Sequence, residues 1–152
     1  MKFVIESIGK VGSRAVIGAG AGAHQLVFDQ PAGVPGGEDR GPSPLDAMAV
    51  AVGACAHYFG AAYLHGRGLS TAGLTVEITA EKERVPTARI GRLDIQVRVP
   101  AGLAERHLAG IRRAIESCPA YGTLIHPPAV EVSVEAGDRD GAGAAGAAAV
   151  AG

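Results

Sequence analysis

The sequence contains no tryptophan, only two cysteines and only six tyrosines and phenylalanines together among its 152 residues. With aromatics at 4% and hydrophobic residues at 47%, the core has to be filled by Ala, Val, Ile and Leu. Charge of one sign is also missing: 14 Lys and Arg stand against 15 Asp and Glu, for a net charge of −1. Such a dispersed balance excludes the basic footprint of a nucleic-acid binder or of a protein held on an anionic membrane. No charge-free apolar run reaches the roughly 18 residues of a membrane span. The stretch Leu45 to Leu64 comes nearest, but Asp46 and His57 interrupt it, and it reads as the core helix of a soluble protein. The opening Met1 to Ser7 meets Glu6 early and has no secretory apolar segment. The expected location is therefore cytoplasmic, where a cysteine pair is more often redox-active than a structural staple.

A chain of this length supports one domain with its own core. Phe3 to Ile8 and His24 to Phe28 read as short strands around a glycine-rich stretch, Gly18 to Gly22. Pro31 to Pro44 is too dense in Pro and Gly for regular structure. A helix start follows. Ser43 suits the N-cap, Pro44 the first helical position, and Asp46 stands three residues after the cap, as in a capping box. The helix runs to about His65, stops at Gly66 and Gly68, and is apolar nearly all round. In a small chain, that much burial often needs a second subunit. Period-two alternation then marks strands over Leu74 to Glu81 and Arg92 to Val99, joined through Pro86 to Arg89. A second helix is expected from Leu103 to Cys118, closed by Pro119, and a last strand from Val130 to Val134. The fold class is α+β: antiparallel strands packed on two helices, in a single domain of residues 1–134. Residues 135–152 form a Gly/Ala-rich tail with no periodic pattern, expected to be disordered.

At about 100° per residue, Cys55 shares a helix face with Met48, Ala51, Val52, Phe59 and Ala62, while Cys118 falls on the apolar stripe of its own helix. Both thiols point towards the place where the two helices would meet. One reading is that each is a small buried hydrophobe; the other is a functional redox pair. A metal site has less support, since there is no Cys-x-x-Cys and His57 lies on the opposite side of the helix from Cys55.

Gly36-Gly37-Glu38-Asp39, Gly41-Pro42-Ser43-Pro44, Ala51-Val52-Gly53-Ala54-Cys55 and Cys118-Pro119 followed by Thr123-Leu124 resemble, in this order, the OsmC/Ohr family of thiol-dependent hydroperoxide reductases. The likeness runs through residues 1–134 and is closer to a less characterised OsmC-like branch. It implies an intertwined homodimer with the long helices at the interface. It also implies that Cys55 is peroxidatic, that Cys118 resolves its sulfenic acid into a disulfide, and that an external dithiol resets the pair. No metal or organic cofactor is implied.

The thiolate is the nucleophile, so Cys55 needs a nearby positive charge. In the family an Arg held by a carboxylate supplies it. Arg40, in the loop before the helix, and Arg14, in the N-terminal strand region, are the candidates. In the Ohr branch the carboxylate lies ten residues before the cysteine, which is Leu45 here; Asp46, nine before, matches the other branch. Nine helical residues separate Asp46 from Cys55 by about 13.5 Å and about half a turn. Asp46 can therefore act only through an Arg or across a dimer, or else it simply caps the helix. The leading expectation is a peroxidase acting on organic hydroperoxides, with Met48, Phe59, Tyr58 or Tyr121 lining a pocket. Its rival is an OsmC-like dimer that binds a small apolar ligand or senses redox state without turnover.

Overall fold

The computed structural model describes residues 3–136. The expected disordered tail lies outside the described residues from position 137 onward, and Glu135 and Ala136 have no regular structure. Three strands open the chain: β1 (Ile5–Ile8), β2 (Gly12–Ile17) and β3 (His24–Phe28). They form an antiparallel meander in that order. β2 was not expected as a strand of its own. It begins with glycine and carries Ser13 and Arg14, which mask the alternation Ala15–Ile17 would otherwise show. In register, Arg14 lies between Glu6 of β1 and Val27 of β3.

The long loop after β3 is tied down by one carboxylate. Asp29 is 2% exposed; it accepts the backbone N–H of Gln30 at 2.8 Å and that of Arg40 at 3.3 Å. Its own N–H donates to the carbonyl of Pro42. Gly41 permits this close approach, because a side chain there would collide with the Val27 carbonyl.

Helix α1 (Pro44–His65) begins and ends as expected: the Ser43 hydroxyl accepts the Asp46 N–H at 3.3 Å, Pro44 fills the first turn and Gly66 ends it. Its buried stripe is Ala49, Val52, Gly53, Ala56, Gly60 and Leu64. That stripe is rotated from the expected one, so Met48, Ala51 and Ala62 face outward. By length and composition α1 is apolar enough to cross a membrane, and a third of its most apolar stretch (33%) is buried within the chain.

β4 (Thr75–Glu83) and β5 (Arg89–Arg98) form an antiparallel hairpin in which Val76 faces Val97, Ile78 faces Ile95 and Ala80 faces Leu93. The expected alternation is thus observed, with a bulge at Glu81/Lys82. The hairpin packs on α1, and α2 (Glu105–Glu116) packs on α1 as well. Ala56, Leu64, Leu74, Ile111 and Ile115 make the core at their junction.

Two expectations about the C-terminal part are corrected. The second helix stops at Glu116 rather than Cys118, and a separate helix α3 (Pro119–Ile125) follows. A proline pushes the residue before it out of helical conformation, and Cys118 is accordingly extended, with φ −71° and ψ 145°. Pro119 then starts a helix instead of merely closing one. The strand expected at Val130–Val134 does not form. Its alternating valines are 80%, 84% and 92% exposed, and the segment pairs with none of the described strands.

Candidate active site

Cys55 is half-buried, midway along α1 beside its buried stripe, and Cys118 is 1% exposed. Both are free thiols. α3 contacts both α1 and α2, so the turn that Pro119 imposes is what carries Cys118 towards α1. Cys118 is itself the N-cap of α3: its sulfur accepts the N–H of Tyr121 at 3.4 Å. Burial raises its pKa above the ordinary thiol value, the Tyr121 N–H opposes that rise, and the neighbouring Cys55 adds to it. Cys118 is therefore a protonated, dry thiol held by backbone donors.

An apolar cavity of about 230 Å³ lies one to two turns before Cys55 along α1. Met48 and Val52 of α1, Ile90 and Leu93 of β5 and Leu124 of α3 line it. Met48 is thus at a cavity, as expected, and Leu124 is a lining residue that sequence reasoning missed because α3 was not foreseen. Tyr121 lines a different groove, of about 680 Å³, whose floor is made by Ile95 and Val97 of β5 and Ile111 and Ile115 of α2. Tyr58 is 65% exposed and stacks edge-on with Phe59, ring centroids 5.4 Å apart.

The charged candidates are held elsewhere within the chain. Asp46 accepts the Ser43 hydroxyl at 2.5 Å and pairs with Lys82 Nζ at 2.6 Å. Lys82 first, then Ser43, holds its carboxyl below the usual carboxylate value. The partner of Asp46 is thus a lysine at the β4 bulge, which no spacing in the sequence revealed, rather than an arginine. Arg40 pairs with Glu38, stands 4.0 Å from Asp29 and packs against Gly9 in the β1–β2 turn. Arg14 donates to Glu6 at 2.9 Å, while its Nε is shielded from solvent with no hydrogen-bond partner. Among the described residues no group of three or more His, Cys, Asp and Glu is placed to hold a metal ion.

Comparison with known proteins bears on the same elements. A family model described as OsmC-like protein matches residues 36–133, from the Gly36-Gly37 loop through both cysteines to the exposed valines. Among solved structures, a Psychrobacter arcticus protein described under osmotic stress induction and detoxification response superposes with a TM-score of 0.70 at 17% identity, over 81% of this chain and 87% of that one. An OsmC-like protein from Mycoplasma pneumoniae gives 0.63 at 17% identity, over 82% and 88%. An organic hydroperoxide resistance protein OsmC from Legionella pneumophila gives 0.55 at 16% identity, over 82% and 89%. At these identities the likeness is one of fold. The comparison with curated protein sequences gives no match.

Proposed function

The chain belongs to the OsmC-like family, and from that membership and the placement of its two thiols we propose that it is a cysteine-based peroxidase acting on organic hydroperoxides. In this reading the Cys55 thiolate attacks the peroxide O–O bond, releasing an alcohol and leaving a sulfenic acid. Cys118 condenses with that sulfenic acid to a disulfide, and an external dithiol restores both thiols. What supports the reading is a solvent-excluded Cys118 at the start of α3, a helix that packs on α1, together with a half-buried Cys55 on α1. The apolar cavity along α1 suits an alkyl or aryl substituent. The Legionella relative is described as an organic hydroperoxide resistance and redox protein, which supports a redox role here.

A homodimer belongs to the same reading. Val50 is 67% exposed on α1, in line with the exposed Ala54 one turn on and Tyr58 two turns on, a face that a soluble cytoplasmic protein would cover with a second copy. The unpaired Val130–Val134 segment fits the same arrangement, in which a strand would find its edge on the partner. The activating charge then has two sources. Arg40 is committed to Asp29 and Glu38, whereas Arg14 keeps an unpaired Nε beside its Glu6 pair and has a donor left to offer a thiolate. Asp46 acts here through its Lys82 pair, fixing the start of α1.

The test is peroxide consumption with cumene hydroperoxide and with hydrogen peroxide in the presence of a dithiol, comparing the protein with Cys55→Ser and Cys118→Ser. Turnover should require Cys55 and favour the organic peroxide; unchanged turnover in Cys55→Ser would end the peroxidase reading. The 680 Å³ apolar groove between β5 and α2 favours the second reading, an OsmC-like dimer that binds an apolar ligand. That reading gains if the wild-type protein leaves peroxide untouched yet binds a fluorescent apolar probe.

A further inference from the structure

The peroxidase cycle uses both thiols and leaves a third sulfur without a part. Met48 is one of only two methionines in the chain. It is 44% exposed and yet forms part of the wall of the apolar cavity between α1, β5 and α3. Seven residues separate it from Cys55, about 10.5 Å along α1 and within about 20° of the same face. A hydroperoxide drawn to the cavity by its alkyl group therefore comes to Met48 whether or not it goes on to Cys55.

We propose that Met48 is an oxidation site that limits the enzyme: excess hydroperoxide converts its thioether to the sulfoxide, and the sulfoxide closes the cavity to apolar substrates. This rests on the peroxidase reading above. A thioether has no proton to lose, so unlike Cys55 it needs no neighbouring cation to become a nucleophile. Val52, Ile90, Leu93 and Leu124 surround the cavity with hydrocarbon, and Arg92, at its edge, is committed to Asp94 by two hydrogen bonds of 2.7 and 2.6 Å. A sulfoxide oxygen kept inside puts a strong dipole among groups that give it no hydrogen bond. Swung out to water, it takes the Met48 side chain out of the wall. Either position weakens the hold on an alkyl or aryl group. A dithiol that reduces the cysteines leaves the sulfoxide in place, since its reversal takes a dedicated reductase, so the change outlasts the catalytic cycle.

The step balances with the peroxide as its only co-reactant. The Met48 sulfur attacks the terminal oxygen of ROOH; an S–O bond forms, the O–O bond breaks, and the hydroperoxide proton leaves with the alkoxide as ROH. Sulfur is oxidised by two electrons and the peroxide is reduced by two. The same molecule is thus substrate at Cys55 and brake at Met48. A thiolate is the faster nucleophile, so the brake engages when peroxide outlasts the supply of dithiol.

Mass mapping and kinetics test this together. Cys55→Ser, which keeps the cavity but lacks the peroxidatic thiol, is exposed to cumene hydroperoxide or to hydrogen peroxide with N-acetylmethionine amide in the same tube. Relative to that free thioether, Met48 should be oxidised about tenfold faster by cumene hydroperoxide than by hydrogen peroxide, because the cavity gathers the apolar peroxide beside it. The wild-type protein and Met48→Leu are then each assayed before and after exposure, once a dithiol has restored the thiols. The wild-type KM for cumene hydroperoxide should rise about tenfold with kcat unchanged, and methionine sulfoxide reductase should bring it back. Met48→Leu should not move from its own starting values, and thermal unfolding checks that both proteins stay folded. Equal relative oxidation by the two peroxides, or a sulfoxide that leaves KM where it was, overturns the role of Met48 while leaving the peroxidase reading intact. A wild-type protein without turnover ends the peroxidase reading and this inference with it.

Discussion

Two glycines inside α1 meet different surroundings, and the same substitution at each should have opposite effects. At Gly60 an added Cβ would stand 3.6 Å from Leu74, 3.7 Å from Ile111 and 3.8 Å from Ile115, ordinary contact distances in the core. Replacing a mid-helix glycine by alanine gains about 1 kcal/mol in helix propensity, and a newly buried methyl adds up to about 0.8 kcal/mol. Gly60→Ala should therefore stabilise the fold by about 1–2 kcal/mol. At Gly53 the Cβ would lie 2.7 Å from Ile78 Cγ1 on β4. Overpacking of this kind costs about 1–3 kcal/mol, which cancels or exceeds the gain of about 1 kcal/mol in propensity. Urea unfolding at one fixed protein concentration, with unchanged m-values, reads the difference. Gly60→Ala should shift the midpoint up, and Gly53→Ala should leave it level or lower it. Removing the obstructing atoms with Ile78→Ala should make Gly53→Ala favourable in that background, a coupling that a double-mutant cycle isolates. If Gly53→Ala alone stabilises as much as Gly60→Ala, β4 does not pack against α1 at this turn and the described core is wrong.

The remaining predictions concern the interface and the charged groups. If the proposed dimer forms through the outer face of α1, Val50→Glu puts an unpaired carboxylate there and should weaken dimerisation by about two orders of magnitude or more; sedimentation velocity showing a wild-type monomer, or an undiminished dimer in the variant, would refute that interface. Asp46→Asn removes the Lys82 pair, and since both side chains are about half exposed the cost is at most about 1 kcal/mol. The folded carboxyl is depressed by Lys82 and Ser43. Its contribution is therefore present above the unfolded carboxyl value near 3.9 and lost as pH falls through the folded value, so the two proteins should converge in strong acid; a difference that grows there refutes the assignment. Asp29→Ala strips the loop of the acceptor for Gln30 and Arg40 N–H and should cost about 1–3 kcal/mol. Limited proteolysis should then cut between Gln30 and Pro42.

Much of the fold was legible because its signals are local. Ser43 and Pro44 start α1 and Gly66 ends it, and the alternation of Val76, Ile78 and Ala80 against Val97, Ile95 and Leu93 marks the hairpin. What escaped the sequence depends on context. Pro119 reads equally as the end of one helix or the start of another, and only packing against α1 decides for the second. Val130, Val132 and Val134 alternate as a strand should, yet a strand also needs a neighbour, which sequence patterning cannot supply. Cys118 was expected on the side of α2, and it stands instead at the start of α3, which packs on α1. The partners of Asp46 and Arg40 were not foreseen, because a lysine at a bulge and a buried Asp29 leave no spacing pattern.

The central claim is that Cys55 reacts with peroxide and Cys118 resolves it within one chain. Mass mapping after one equivalent of cumene hydroperoxide tests this most directly. The account predicts a Cys55–Cys118 disulfide in the wild-type protein and a dimedone-trapped sulfenic acid at Cys55 in Cys118→Ser. Two intact thiols after exposure, or oxidation that falls first on Cys118, would contradict it.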